Sequence, residues 1–301
     1  MIRFERTPHL TLWLAVWFAL CLTPKRALAA PGPMSSSWDV DAELLDVGAA
    51  RTHGRGNNTG SFDERSTDLK AVLSLQLTGN LLLHLGAEWQ RLEFGVPGPA
   101  VVPPVLNQID ALIGLDYQLG DKWLLRADVQ PGIYSDLHDV SWRDVDAPFT
   151  LGAAYLANAD VQWLFGFRVD PRSQYPVLPA LGVRWRFADQ WTLNLLVPNP
   201  RLEYDPNDKL KAYLGVGAEL GTFTVGDHFG DARGRSDLNH AALDYFEIRV
   251  GPGFAWKVGA HVTLEADAGC MAYRRFDFHD QDLVVRSDPA PYVRLACRIR
   301  F

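Results

Sequence analysis

Apolar and polar residues alternate with a period of two along most of this chain. At the C-terminal end Pro291, Val293, Leu295, Cys297, Ile299 and Phe301 occupy one set of positions, and Tyr292, Arg294, Ala296, Arg298 and Arg300 the other. A strand sends successive side chains to opposite faces, so this segment predicts a strand with one apolar and one cationic face. Near the other end Trp38, Val40, Ala42 and Leu44 oppose Asp39, Asp41 and Glu43, and Leu69, Ala71, Leu73, Leu75 and Leu77 oppose Asp68, Lys70, Ser74 and Gln76. After a Gly79-Asn80 turn, Leu81 to Trp89 repeats the pattern with His84, Glu88 and Gln90 on the polar side. Further alternating segments cover residues 109–119, 123–134, 149–157, 161–169, 178–187, 191–197, 201–204, 210–225, 243–256, 262–278 and 291–301. The pattern predicts an all-β chain of about 14 strands, or about 12 if Pro198-Asn199-Pro200 only bends a strand.

The connections alternate in length. Short links at residues 79–80, 120–121, 157–160, 188–190, 206–209 and 257–260 interleave with longer ones at 47–67, 95–106, 135–148, 170–177, 226–242 and 279–290. Several short turns are flanked by aromatics: Tyr117 and Trp123 around Gly120-Asp121, Trp185 and Trp191 around Ala188-Asp189, and Phe254 and Trp256 before Lys257. Short turns on one side, longer loops on the other and an aromatic girdle predict a transmembrane antiparallel up-and-down β-barrel spanning residues 38–301. With Phe301 on the periplasmic side, every long link falls outside.

The chain has 48% hydrophobic and 22% charged residues, so it carries enough apolar surface for a large ordered domain. Mean hydropathy is −0.08, as expected where each strand averages an apolar and a polar face. Beyond the N-terminus no apolar run is long enough for a membrane helix. A net charge of −7 gives no footprint for nucleic acid. Residues 1–29 have the build of a signal peptide: Arg3 and Arg6, an apolar stretch over residues 10–22, then the small residues Ala27, Ala29 and Ala30. Residues 30–37 then form a linker into the barrel. Of the cysteines, only Cys270 and Cys297 remain in the mature chain, both on apolar strand faces, which excludes a disulfide framework.

Signal peptide, serial hairpins with Asp-containing turns and a terminal strand ending in Phe301 resemble the porin-like outer-membrane β-barrels of Gram-negative bacteria. The segment Leu195-Leu-Val-Pro-Asn-Pro-Arg-Leu-Glu-Tyr204, with Tyr213 to Gly221, resembles a family among them of uncharacterised function. That resemblance implies export to the outer membrane and contact with its lipid and lipopolysaccharide. It also implies recognition by the barrel-assembly machinery through Val293, Leu295, Ile299 and Phe301, where Cys297 departs mildly from the usual bulky residue. It implies no cofactor and no particular solute, and leaves the oligomeric state open.

The polar faces give the lumen an asymmetric charge. Asp39, Asp41, Glu43, Asp68, Glu88, Asp110, Asp116 and Asp128, with Arg126 among them, come from early strands; Arg168, Arg184, Arg186, Lys209, Lys211, Arg249, Arg294, Arg298 and Arg300 come from late ones. Closure sets the last strand antiparallel to the first, bringing Arg294, Arg298 and Arg300 near Glu43, Asp41 and Asp39. Two readings of these charges stay open: a water-filled passive pore for small polar solutes, or a mutually neutralised network in a structural or surface-interaction barrel. The first is preferred, because side chains already fill a barrel of about 8 strands and about 14 leave room. An inward-folded link, with 226–242 or 135–148 as the candidate, is the feature that would weigh against it.

Catalytic and metal chemistry find little support. A lipid-cleaving barrel needs a base beside its nucleophile, and the nearest approach, His138 with Ser141, puts the two on opposite faces within a loop. His84 reads as a lining residue. Asp227, Asp231 and Asp237 lack the glycine and glutamate of a calcium loop and read as a solvated outer link. The apolar stretch 97–106 is a candidate contact for lipopolysaccharide.

Overall fold

In a computed structural model, residues 36–54, 60–96 and 101–301 are described; the signal-peptide reading and the loop around Asn57 fall outside them. These residues form one closed antiparallel barrel of fourteen staves. They are β1 (Ser36–Gly54), β2 (Ser61–Thr78), β3 (Leu81–Gly95), β4 (Val105–Leu119), β5 (Trp123–Val129 and Gly132–Ser135), β6 (Val145–Asp146 and Phe149–Leu156) and β7 (Val161–Val169). The circuit continues with β8 (Val177–Ala188), β9 (Trp191–Asn194), β10 (Arg201–Tyr204), β11 (Leu210–Thr224), β12 (Ala242–Lys257), β13 (Val262–Phe278) and β14 (Leu283–Ser287 and Ala290–Arg300). The Pro198 interruption thus separates two four-residue strands, and the larger of the two expected counts holds.

Closure comes from β1, which pairs with β2 on one edge and with β14 on the other, from Asp39 opposite Arg300 to Val47 opposite Tyr292. Without it two strand edges would face lipid with unpaired N–H and C=O groups, each costing several kcal/mol. The seam carries the charge pairs that alternation predicts. Arg300 Nε lies 2.8 Å from Asp39, Arg298 Nε 3.3 Å from Asp41 and Arg294 Nε 2.8 Å from Glu43.

The wall changes character along its height. Near the short-turn end the outward face is apolar and exposed: Trp38 and Leu44 on β1, Leu69 and Leu77 on β2, Ile109 to Leu119 on β4, Trp163 and Phe165 on β7, Leu295 and Phe301 at the end of the chain. Phe187 and Trp191, and Trp191 and Tyr204, pack ring against ring at the turns. Toward the long-link end the pattern inverts. Outward positions become polar, as in the Asp46–Arg65 ion pair, while Leu45, Val47, Phe62, Leu92 and Phe276 point inward and are buried. Water replaces lipid outside, so the apolar residues move to the interior face.

Several expected loops are therefore strand. Residues 47–54 and 61–67 continue β1 and β2 well past the lipid-facing belt, because the Ser61 to Thr67 stretch alternates between exposed polar residues and inward Phe62, Glu64 and Ser66. A bulge between Val47 and Ala50 adjusts the register. Likewise Leu283–Ser287 extends β14 into what reads as a long link. In the short turn before β5, Gly120 takes φ +63°, a conformation that suits a residue without Cβ.

If the seam charges help set register, Arg298→Glu should lower the yield of heat-modifiable folded barrel in refolding assays, and adding Asp41→Arg should recover it. Such half-exposed cross-strand pairs contribute about 0.2–1 kcal/mol each, so the expected loss is partial; an unchanged yield for Arg298→Glu would remove the seam from the account.

Candidate functional site: the closed lumen

The inward-facing residues build three zones. At the long-link end lies an apolar core of Phe62, Leu92, Phe94, Val101, Val102, Leu106, Tyr134, Phe223, Val225, Phe229, Leu238, Ala241, Leu243, Tyr245, Phe276, Phe278, Leu283 and Val285. Phe94 and Phe276 meet edge to face at 5.0 Å, Phe62 and Phe276 at 5.6 Å, and Phe229 stacks on Phe278 at 5.7 Å. Each such pair adds about 0.5–1.5 kcal/mol beyond area burial. Four members, Val225, Phe229, Leu238 and Ala241, belong to the link after β11, so that link is folded into the mouth and is not a solvated outer loop. Val101, Val102 and Leu106 are buried in the same core, which removes that part of the stretch as a lipopolysaccharide contact.

The link is shaped by local chemistry. Asn239 Oδ1 accepts from the Gly230 and Asp231 N–H groups, and Gly230 is required because a Cβ there would sit 1.8 Å from the Arg235 carbonyl oxygen. Arg233 donates to the Phe229 and Val102 carbonyls, and the Gly226 N–H donates to Asp136. On the solvent side, hydrogen bonds raise the His228 pKa through Asp231 and lower those of Asp231 and Asp237 through Asn239 and Arg235. Asp227 lies 2.7 Å from His240, so all three aspartates are engaged with side chains of the link. Among the described residues no group of three His, Cys, Asp or Glu side chains is arranged to hold a metal. Ser141 caps a short turn with Asp144, and His138 leans toward Asp136, so the two do not form a nucleophile and base.

Beneath the apolar core lies a charged layer that crosses the barrel. Arg274, fully buried, donates to Glu64 at 2.5 Å and stacks its guanidinium 4.1 Å over the Phe62 ring. The Tyr245 hydroxyl lies 3.0 Å from Glu64 and 2.5 Å from Glu247. Arg249 reaches Glu247, Glu43 and Glu219 at 3.2, 3.6 and 3.9 Å. Arg294 bridges Glu43, Asp267 and Glu265, and Arg298 bridges Asp41 and Glu265. Gln90 of β3 donates to Glu219 of β11 at 2.6 Å, a contact between opposite walls.

The third zone is the lining nearer the short turns. Asp116 takes both Arg126 nitrogens at 2.5 Å and lies 3.1 Å from His84, and Arg126 is 3.9 Å from Asp128. Arg168 donates to Gln130, and Lys211 pairs with Glu203. Arg184 faces inward, half-buried. Arg186, paired with Asp160, and Lys209, in the turn before β11, are exposed. Both therefore lie at the solvent-exposed short-turn end, Arg186 ahead of the turn into β9 and Lys209 ahead of β11. Glu64, Glu219, Glu247, Glu265, Asp267 and Arg274 are interior charges the sequence reading missed. Glu64 and Arg274 lie beyond the lipid-facing stretch that makes alternation visible.

The wall itself is uneven. At the long-link end β5 meets β11 directly: Ser135 pairs in parallel with Thr224, bypassing β6 to β10. Lower down, β9 and β10 are so short that β8 is bonded to their link only as far as Val183 (Leu195 N–H, 2.8 Å), and β11 only as far as Ala218 (to the Pro198 carbonyl, 3.0 Å). Between these points and Thr224 no backbone bond among the described residues joins β8 to β11, which leaves a notch. Arg172 reaches Thr224 and Ser173 reaches Asp244 above it, and Leu196 turns inward onto Ala154 and Leu164 below.

A closed fourteen-stave wall with a lipid-facing apolar belt and a charged interior defines a transmembrane β-barrel. The family model DUF6268, "Domain of unknown function", matches residues 81–294, and the chain belongs to that family. No curated protein matches it. Among solved structures it is similar to the COG4313 outer membrane channel from Pseudomonas putida F1, at 13% identity and a TM-score of 0.47, covering 92% of this chain and 99% of that one. It is also similar to the P. putida toluene transporter TodX, at 10% identity, a TM-score of 0.41 and coverages of 89% and 90%. A Pseudomonas aeruginosa FadL homologue gives 10% identity, a TM-score of 0.39 and coverages of 88% and 90%.

Arg274→Met should destabilise the barrel by about 3–5 kcal/mol in urea unfolding from vesicles, since it leaves Glu64 buried without its cation. The double variant Glu64→Gln/Arg274→Met should recover most of that loss. A single variant as stable as wild type would show that the pair is not integral to the interior.

Proposed function

We propose that the protein is a gated solute channel of the Gram-negative outer membrane, here in its closed state, with short turns in the periplasm and long links outside. The observation that carries this reading is what closes it: the mouth is sealed partly by a link, Phe229 and Leu238 on the 226–241 segment, and not by the wall alone. A segment held by a few backbone and side-chain bonds moves at far lower cost than a stave. Below it the lining is charged, which suits small polar solutes. An always-open passive pore does not fit this geometry. The apolar core and the Gln90–Glu219 bridge must both part for a solute to pass.

A second reading rests on the notch between β8 and β11. Val177 and Leu181 are highly exposed beside it, and an apolar or amphipathic molecule leaving the lumen there would enter lipid without crossing the outer mouth. A barrel without conductance is the third outcome. Planar-bilayer recording of the refolded full chain separates them. Wild type should be mostly silent, and Phe229→Ser/Leu238→Ser should show discrete steps with opening roughly tenfold more frequent, the effect of about 1.4 kcal/mol on a gating equilibrium. Silence from both proteins would sink the polar channel, leaving the lateral route to be tested by uptake of an apolar dye into vesicles.

A further inference from the structure

One part of the interior carries more carboxyl groups than bases. On the late staves each interior guanidinium of the charged layer, Arg249, Arg274, Arg294 and Arg298, has at least one carboxylate within reach. On the β1 to β4 wall the register instead sets like charges directly opposite one another: Glu43 faces Asp68 across β1 and β2, and Glu88 faces Asp110 across β3 and β4. Like charges in such positions are destabilising, the reverse of the seam. Lys70, placed opposite Glu88, donates to it at 2.9 Å and is the base on this strip. Asp68 and Asp110 form no ion pair within 4.0 Å among the described residues, although Lys70 acts on both at longer range and Arg168 acts on Asp110 from β7.

Asp110 supplies an independent sign. It faces inward, is 4% exposed, accepts from Gln108 at Oδ2 and leaves Oδ1 without any hydrogen-bond partner. An orphaned carboxylate oxygen in the interior costs more than its removal would, unless something binds there. The donor set contains carboxylates without the convergence needed to coordinate a metal, so a cation must be met by charge and hydrogen bonds. We propose that Asp68, Glu88 and Asp110 form a binding station for the cationic group of a solute, an ammonium or a comparably hydrated cation, within the lumen. The proposal rests on the channel reading for its biological sense. It makes the permeant class cationic, because the arginines of the charged layer are already bridged to carboxylates.

Hexaamminecobalt(III) is a suitable probe, since its ligands do not exchange and it can be held only by charge and N–H donation. Titrated into the refolded full chain in detergent and followed by calorimetry, it should bind wild type. It should bind Asp68→Asn/Asp110→Asn roughly tenfold more weakly, a loss of about 1.4 kcal/mol. Asp121→Asn/Asp189→Asn, altered only in exposed short turns, should bind as wild type does. Heat-modifiable mobility checks folding, and the single variant Asp110→Asn serves if the double variant does not fold. No binding by wild type, or equal binding by the Asp68/Asp110 variants, would overturn the station. Binding that depends on Asp68 and Asp110 in a barrel that stays silent after Phe229→Ser/Leu238→Ser keeps the station and removes the pore; cation-indifferent conductance does the reverse.

Discussion

Every backbone N–H and C=O within the lipid belt needs a partner inside the protein, and a sheet meets that demand only by closing on itself. The pairing of β1 with β14 is therefore the contact on which the rest depends. Once the wall is closed, the period-two pleat separates an outward from an inward face on every stave. Charged residues that would be intolerable against lipid are gathered in one enclosed space. There they must find each other, which is why Glu43 serves both Arg294 and Arg249, and Glu265 serves Arg294, Arg298 and Arg201.

The inversion of the two faces along a single strand explains how one barrel holds both a polar lumen and an apolar plug. On β2, Leu69 faces out within the belt and Phe62 faces in above it. On β1 the change falls between adjacent residues, Leu44 exposed and Leu45 buried. On β13 a bulge near Met271 shifts the register and carries Phe276 and Phe278 inward. Past the edge of the lipid the chain behaves as a small soluble β-barrel with its core inside, and the 226–241 link supplies the missing core residues. The plug is thus the ordinary outcome of hydrophobic burial where the outer solvent changes from lipid to water.

Alternation made the lipid-facing half legible. Trp38 to Leu44, Leu69 to Leu77 and Val293 to Phe301 declared their faces, and the antiparallel seam followed from counting an even number of strands. The outer halves of β1, β2 and β14 were not legible, since exposed Ser61, Asp63 and Arg65 look like a loop until water is recognised as their surroundings. Phe229 and Leu238 carried no periodicity, and only their unusual apolarity within a polar link marked them.

What the sequence determined by itself was which side of the wall each residue faces, because the pleat is a local property of two neighbouring residues. Which inward residues meet was decided by tertiary structure alone. The contacts of Gln90 with Glu219 and of Glu64 with Arg274 span 129 and 210 residues of chain. They depend on stave number, stagger and the short β9–β10 hairpin together, and no local pattern encodes a distance across a lumen.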